Sequence, residues 1–261
     1  MPPIFLPDLR LNATLSGPRD APALVFLHSL GTSSGLWAGV ATHLPLHRLL
    51  ALDLRGHGES DVPPAPYAMG MLIRDVERVI DHFDLKDTVL IGVSLGGMIA
   101  QGLAVKRLDL VRGLVLSNTA VRIGTAAQWQ DRIATVRDHG LGAIADATME
   151  RWMGRDWAAN PALPALRDGF LKTDPQGWMG CAAAIAGTDF YEVAATLRLP
   201  TLAIAGANDG STPPDLVRET ADLIPGAQFR LIRGAGHLPM AEKPQAYAAT
   251  LAAFLVGIGH G

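Results

Sequence analysis

The pentapeptide Gly92-Val93-Ser94-Leu95-Gly96 decides how this chain is expected to fold. It directly follows the apolar run 89–91 and directly precedes a stretch of helical character over 97–105. A strand that turns sharply into a helix strains its apex residue, and small residues two positions before and after leave room for the turn. The pattern predicts a nucleophile elbow that holds the Ser94 hydroxyl above the edge of a sheet. A tight structural turn is the alternative.

Short apolar runs on both sides of this elbow predict strands that are covered on both faces. They span residues 23–27, 49–52, 89–91, 113–116, 202–205 and 229–232. Helical patterns lie between several of them, as over 71–83, and this alternation indicates a mostly parallel, twisted α/β sheet flanked by helices. Over 9–15, apolar and polar residues alternate instead, which predicts a half-exposed strand that starts the sheet in the antiparallel direction.

The alternation of strands and helices fails from about residue 121 to residue 189. This segment has helical patterns interrupted by glycine and proline, and it holds four of the five tryptophans, Trp129, Trp152, Trp157 and Trp178. We interpret residues 122–189 as a helical cap inserted into a core domain formed by 1–121 and 190–261. A helical side layer is the alternative. A cap would close over the nucleophile and exclude water.

Composition narrows the function classes that the chain can serve. Its 261 residues, 49% of them hydrophobic, suffice for one large core with or without a small insertion. The formal net charge of -3 gives no electrostatic reason to bind nucleic acid, and no apolar run is long enough for a membrane span. Cys181 is the only cysteine, which excludes an intrachain disulfide, and residues 1–8 lack the pattern of a leader. We therefore expect a cytoplasmic protein, monomeric or homo-oligomeric, without membrane or nucleic-acid partners.

A serine hydroxyl becomes a nucleophile only when a base takes its proton and a carboxylate orients that base. Three histidines follow Ser94 in the chain: His139 in the predicted cap, His260 next to the last residue, and His237. His237 lies on the glycine-bearing loop 234–239, directly after the last predicted strand. We predict that His237 is the base, and the alternative is a histidine of a surface loop.

The acid is predicted to be Asp209, on the loop that follows the strand predicted over 202–205. This position places it beside the loop of His237, because both loops leave the sheet at the same edge. Asp189, Asp215 and Asp222 compete for the role. The last two fall on a helix that begins near residue 213, where they suit its first turn and its exposed face.

Two backbone N–H groups are expected to stabilise negative charge on an attacked carbonyl oxygen. Leu95 supplies one at the first turn of its helix, and Leu30 supplies the other from the loop after the first buried strand. Ser29 is the alternative to Leu30. His28 is interpreted as a brace of this loop rather than as a second base.

Other polar segments of the sequence receive no chemical role. The segment 53–60 is interpreted as a turn held together by its own side chains. Paired cysteines and a phosphate-binding loop ending in lysine are both missing from the sequence. We therefore expect neither a metal nor another cofactor.

These motifs, in this order and over essentially the whole chain, resemble the α/β-hydrolase family. Within it, the chain is most similar to the 3-oxoadipate enol-lactonases, enzymes of aromatic catabolism. The residues that carry this closer resemblance are His28-Ser29-Leu30-Gly31-Thr32, Ser94-Leu95-Gly96-Gly97, Ser117-Asn118-Thr119-Ala120 with Ile123, Trp129 with Arg132 and Ile133, and Arg151-Trp152. The resemblance implies an α/β-hydrolase fold and a Ser-His-Asp acyl-enzyme mechanism that opens the ring ester of a small anionic lactone.

A lactone of this kind carries a carboxymethyl anion, so its enzyme needs a cationic or hydrogen-bonding anchor. Arg132, Arg151 and Trp152 are the predicted substrate-binding residues, with Arg122 as a further candidate. Ordinary cap surface is the alternative for each arginine, because long cationic side chains often cover apolar helices. A small-molecule carboxylesterase or a carbon–carbon bond hydrolase of the same fold is the first alternative function. A ligand-binding receptor with slow turnover is the second.

Overall fold

A seven-stranded sheet forms the centre of the computed structural model, which describes residues 4–6, 8–154 and 156–261. Residues 1–3 and 7, part of the segment inspected for a leader, therefore lie outside the described residues. The strands are β1 (Ile4–Leu6), β2 (Leu9–Leu11), β3 (Ala13–Ser16), β4 (Ala23–Leu27), β5 (Arg48–Leu52), β6 (Thr88–Val93), β7 (Val111–Ser117), β8 (Thr201–Gly206) and β9 (Gln228–Ile232). The main sheet has the order β3-β5-β4-β6-β7-β8-β9.

All neighbouring strands of the main sheet are parallel except β3, which pairs antiparallel to β5. Every residue of β4, β6 and β8 is buried, because helices cover both faces of the sheet. The apolar runs of the sequence thus predict the central strands correctly, and the fold is that of an α/β hydrolase. Since parallel strands end at one edge, the loops after β4, β6, β8 and β9 meet there.

The helices alternate with the strands outside one long insertion. They are α1 (Ala38–Ala41), α2 (Met69–His82), α3 (Leu95–Lys106), α4 (Ala126–His139), α5 (Gly142–Met153), α6 (Leu163–Lys172), α7 (Pro175–Ala186), α8 (Tyr191–Thr196), α9 (Pro214–Leu223), α10 (Pro239–Glu242) and α11 (Pro244–Gly257). On α2 the buried positions include Leu72, Val76, Val79 and Ile80. Their spacing is that of one helical face turned toward the sheet.

The single strand predicted over 9–15 is wrong in its extent. The structure divides it into β2, which pairs with β1 in a separate two-stranded sheet, and β3, which joins the main sheet. The division falls at Asn12, whose backbone N–H donates to Ser60 Oγ at 2.9 Å and whose side-chain amide donates to Asp53 Oδ2 at 2.8 Å. Because these partners come from another loop, Asn12 leaves the strand ladder.

Five helices, α4 to α8, lie between β7 and β8, and we call the first four, α4 to α7, the helical insertion. The first begins at Thr125, which forms a capping box with Gln128, and ends at Gly140 in a positive-φ conformation. The last of these four begins at Asp174, whose side chain accepts from the Gln176 N–H at 2.7 Å, followed by proline at the first helical position. These local signals explain why four short helices form rather than one long helix.

Candidate active site

Ser94 occupies the sharp turn between β6 and α3. Its φ of 56° and ψ of -117° lie in a region that residues with a side chain rarely adopt. The turn is possible because Gly92 and Gly96 are small: a Cβ on Gly92 would collide with the Gly96 carbonyl, and one on Gly96 with the Leu27 carbonyl. The predicted elbow geometry is therefore present, and Ser94 lines a cavity at the sheet edge.

Asp209 and His237 form a buried pair at the same edge. Asp209 follows β8 and His237 follows β9, and the Nδ1–H of His237 donates to Asp209 Oδ2 at 2.8 Å. This hydrogen bond fixes the tautomer that leaves Nε2 free to accept a proton. His237 and Ser94 line the same cavity. The arrangement is suited to general-base activation of the serine hydroxyl.

The carboxylate of Asp209 has more partners than the sequence reveals. Besides His237, Oδ2 accepts from Asn118 Nδ2 at 2.8 Å and from Thr212 Oγ1 at 2.7 Å. Oδ1 accepts from the backbone N–H of Ser211 at 2.7 Å. Burial alone would raise the pKa of Asp209, but His237 and these donors hold that pKa below its usual value. The acid therefore stays ionised while buried.

Asn118 and Thr212 are functional candidates to which the sequence analysis gave no chemical role, although Asn118 belongs to a segment that carries the family resemblance. Asn118 directly follows β7 with a φ of 43°, a left-handed conformation in which asparagine is enriched. Its place at the end of a central strand is a signal that could have found it. The competing acids lie elsewhere: Asp189, Asp215 and Asp222 are all exposed.

A further carboxylate, Glu242, holds the loop that carries the base. Its Oε1 accepts from the backbone N–H of Gly236 at 2.9 Å, and its Oε2 accepts from Asn160 Nδ2 of the helical insertion at 2.8 Å. Burial raises the pKa of Glu242. Nothing in the sequence predicted this role for Glu242, the last residue of the short helix α10.

The two predicted oxyanion donors are placed on facing segments. Leu95 is the first residue of α3, and Leu30 lies in the loop after β4. In the described part of the chain, neither backbone N–H donates to a protein acceptor. Leu30 and Ser94 line the same cavity, and Gly96 packs against the end of β4. This geometry leaves both N–H groups available to an oxygen on a bound substrate.

Two buried histidines brace the Leu30 loop from below. The Nε2 of His28 accepts from the backbone N–H of Leu54 at 2.9 Å, while its Nδ1–H donates to the Ser29 carbonyl at 2.8 Å. The Nε2 of His57 accepts from the backbone N–H of Gly31 at 3.0 Å. The bracing role predicted for His28 is confirmed. The polar segment 53–60 does serve as a turn held by its own side chains, as the Ser60 hydroxyl bond to the Asp53 carbonyl at 2.7 Å illustrates.

The buried His57 ring, which accepts a hydrogen bond from Gly31, predicts that acid destabilises the folded protein. Burial, with repulsion from His28, lowers the pKa of His57 from 6.5 to about 3. Between these two pH values His57 is protonated in the unfolded chain but not in the folded protein. The free energy of unfolding therefore falls as the pH decreases from 6.5 toward 3. His57 alone can change the free energy of unfolding by up to about 1.4 kcal/mol per pH unit. Urea unfolding at several pH values measures this dependence.

The matched variants for this pH experiment are His57→Gln and His82→Gln. His57→Gln removes the buried titrating ring and should flatten the slope, whereas His82 is exposed and serves as the control exchange. A slope that is identical in wild type and His57→Gln would contradict the assignment of acid sensitivity to His57.

The cavity above Ser94 has a volume of about 410 Å³. The loops at the strand ends contribute Ser29, Leu30, Ser94, Gly210, Ser211 and His237 to its wall. The helical insertion contributes four aromatic rings, Trp129, Trp152, Phe170 and Trp178, together with Gln128, Asp131, Arg132, Thr148 and Arg151. The size suits a small molecule that is largely enclosed.

Arg132 is held between two tryptophans in the wall of this cavity. Its guanidinium carbon lies 4.5 Å from the ring centroid of Trp129 and 5.2 Å from that of Trp178. Its Nε is buried and has no hydrogen-bond partner among the described residues. Burial, with repulsion from Arg151, lowers the pKa of Arg132 to about 9. The side chain is thus a cation at neutral pH with unfilled donor capacity.

Arg151 lines the same wall, and its guanidinium donates to Thr148 Oγ1 at 3.1 Å. Burial lowers the pKa of Arg151. Within the described residues, neither Arg151 nor Arg132 forms an ion pair. Arg122 does not belong to this group, and its prediction as an anchor is wrong. It lies on the surface, within 3.4 Å of Asp189.

Trp152 contacts both the cavity wall and the Asp209–His237 pair. Its ring stacks on the His237 ring with centroids 6.1 Å apart and an interplanar angle of 21°. Its carbonyl accepts from the backbone N–H of His237, and the Arg151 carbonyl accepts from that of Gly210 at 2.8 Å. The carboxyl end of α5 is therefore bonded to both the acid loop and the base loop.

Among residues 4–6, 8–154 and 156–261, no three histidine, cysteine, aspartate or glutamate side chains are grouped to hold a metal ion. No helix in these same ranges combines the length and the apolar character that a membrane crossing requires.

Comparison with known proteins places this architecture in a family. A model described as the alpha/beta hydrolase family matches residues 24–250. The chain is 30% identical over 243 residues to 3-oxoadipate enol-lactonase 2 of Acinetobacter baylyi, covering 92% of this chain and 91% of the relative.

Solved structures agree with this assignment. The enol-lactonase from Burkholderia xenovorans LB400 superposes with a TM-score of 0.93 at 33% identity, covering 98% of this chain and 100% of that one. A thermophilic esterase from Thermogutta terrifontis superposes with a TM-score of 0.90 at 28% identity, covering 96% and 94%. The chain belongs to the alpha/beta hydrolase family.

Proposed function

We propose that the protein hydrolyses the ring ester of 3-oxoadipate enol-lactone, a small anionic lactone, through an acyl-enzyme on Ser94. The observation that carries the proposal is the position of Arg132 and Arg151. Both are half-buried cations that form no ion pair with a described carboxylate, and they line the cavity that holds Ser94 and His237. Cations withdrawn from water are normally paired, so a cavity built this way favours a substrate that brings a carboxylate.

The relatives support an ester substrate and a lactone in particular. A curated relative and a solved structure, each at least 30% identical to this chain, are named enol-lactonases. The cavity of about 410 Å³ has room for a five-membered lactone with a short acidic side chain. This substrate would place the enzyme in the degradation of aromatic compounds.

In the proposed reaction the Ser94 oxygen attacks the lactone carbonyl while His237 Nε2 takes the serine proton. Asp209 stabilises the imidazolium that forms, and the N–H groups of Leu30 and Leu95 stabilise the oxyanion. Collapse of the tetrahedral intermediate breaks the ring C–O bond and leaves an acyl-enzyme. His237 returns its proton to the released enol oxygen.

The leaving enol remains attached to the acyl group, so a simple alcohol at this position could close the ring again. Tautomerisation of the enol to a ketone removes the nucleophile and makes ring opening one-way. His237 then activates a water molecule, which attacks the ester of Ser94 and releases the dicarboxylic acid.

We also propose that the helical insertion acts as the cap of this enzyme. It supplies all four aromatic rings of the cavity wall and both unpaired arginines. Substrate selection would therefore reside in the insertion, and bond cleavage in the core loops.

Removing either arginine should weaken activity on the anionic substrate alone. Arg132→Ala and Arg151→Ala are expected to lower kcat/KM for the enol-lactone by roughly 5- to 150-fold, the scale of a lost charge-assisted hydrogen bond. Hydrolysis of a neutral aryl acetate should change little. Steady-state kinetics of each variant on both substrates measures this difference.

Arg122→Ala is the matched control for these variants, because Arg122 is exposed and outside the cavity. It should behave as wild type on both substrates. If Arg132→Ala and Arg151→Ala lose equal activity on the anionic and the neutral substrate, the two arginines stabilise the insertion rather than bind substrate.

A small-ester carboxylesterase is the second candidate, favoured by the structural likeness to the Thermogutta esterase. Wild-type rates separate the two candidates. Faster turnover of a neutral aryl acetate than of the enol-lactone would favour the esterase, and absence of turnover of the enol-lactone would exclude the lactonase.

A further inference from the structure

A second cavity of about 370 Å³ lies beside the catalytic cavity. It is formed between helix α6 of the insertion and the core, and its wall includes Leu36, Leu166, Gly169 and Met240. None of the described residues in this wall carries a charge. The surroundings would suit an alkyl chain and would not suit an anion.

Only a thin partition separates the two cavities. Leu30 lines the catalytic cavity and the next residue, Gly31, lines the second one. In the same way, Phe170 lines the catalytic cavity and the preceding residue, Gly169, lines the second. The two pairs therefore face each other across the boundary.

The ring of Phe170 closes this boundary against the backbone of Gly31. A Cβ on Gly31 would lie 2.6 and 2.9 Å from two ring carbons of Phe170, so ring and glycine are already in van der Waals contact. Gly31 also has a φ of 78°, which favours glycine here. The ring is held in place by edge-on packing against Trp152, with centroids 5.8 Å apart at 87°.

We propose that Phe170 determines the length of acyl chain that the enzyme accepts. The ring ends the catalytic cavity on the side of the second cavity, and removing it joins the two and nearly doubles the space open to a chain. The occupant of the joined space is the aliphatic chain of a longer ester. This inference rests on the proposed ester hydrolysis at Ser94.

Alkylboronic acids test the inference because they add to a serine hydroxyl and place their chain in the acyl site. The inhibition constants of n-butylboronic and n-octylboronic acid are measured against hydrolysis of whichever ester, enol-lactone or aryl acetate, the enzyme turns over. In wild type the octyl compound should bind no more tightly than the butyl compound. In Phe170→Ala the octyl compound should bind at least roughly tenfold more tightly than the butyl compound, since each buried methylene contributes roughly fourfold in affinity.

Three further variants identify the cause of any gain. Phe170→Ala/Gly169→Leu adds a side chain in the wall of the second cavity and should abolish the octyl preference; a Cβ at Gly169 meets no atom within 4 Å, so the added side chain starts without a clash. Leu171→Ala truncates the next residue of α6, which is 39% exposed, and should leave the wild-type pattern. Phe170→Leu also opens the boundary between the two cavities, but it removes fewer packing contacts than Phe170→Ala.

The outcomes separate this inference from the proposed function. If the enzyme hydrolyses an ester and neither Phe170 variant prefers the octyl compound, Phe170 does not limit chain length, although ester hydrolysis stands. An octyl preference that persists in the Gly169→Leu double variant also overturns the inference. If wild type hydrolyses neither ester, the proposed function fails and the inference fails with it.

Discussion

Ser94→Ala is expected to lower kcat for ester hydrolysis by about 10³- to 10⁶-fold. The substitution removes the oxygen that forms the acyl-enzyme, and the members of such a triad act as one unit whose losses are not additive. Alanine keeps the Cβ, so the conformation at φ 56° is not further strained. Active-site titration and steady-state kinetics on the enol-lactone measure the effect.

His237→Ala and the double variant Ser94→Ala/His237→Ala provide the control for this prediction. Both should fall to nearly the level of Ser94→Ala, because every role proposed for His237 depends on the acyl-enzyme that Ser94 forms. Circular dichroism establishes that each variant is folded. A folded Ser94→Ala protein with near-normal rate would exclude the serine mechanism.

Asp209→Asn is expected to lower kcat by about 10³- to 10⁴-fold while leaving the fold intact. An amide carries no charge to stabilise the imidazolium, and its NH₂ group would face the donors that now point at the carboxylate. Asn118 Nδ2 and Thr212 Oγ1 both donate to Oδ2 of Asp209. Rates measured across a pH series separate lost charge from lost binding.

Asp215→Asn is the control variant for Asp209→Asn, because Asp215 lies on the exposed face of α9 and is close to Asp209 in sequence. Its rate should stay within about twofold of wild type, as is usual for a surface substitution without partners. Should Asp215→Asn prove the more damaging of the two, the acid would have to be reassigned.

The central sheet could be predicted because each strand carries its own signal. The run over 23–27 matches β4 in full, since a strand buried on both faces is apolar at every position. The break at Asn12 could not be predicted in this way. It depends on Ser60, 48 residues further along the chain, whose approach is a property of the tertiary structure.

In the candidate site, too, some features could be predicted from the sequence and others depend on tertiary contacts. The pairing of Asp209 with His237 could be predicted because chain order and strand ends restrict where an acid and a base can meet. Arg122 was wrongly included because exposure cannot be inferred from the presence of an arginine on a helix. The environment of Arg132 was also hidden: Trp129 shares its helix, but Trp178 lies on α7, and only packing of the two helices encloses the cation.

The carboxyl end of α5 contacts both loops that carry Asp209 and His237. The Arg151 carbonyl accepts from the backbone N–H of Gly210, and the Trp152 carbonyl accepts from that of His237. Any displacement of this end of the insertion would break one hydrogen bond to each loop. The wall of the cavity and the positions of the Asp209 and His237 side chains are therefore mechanically coupled.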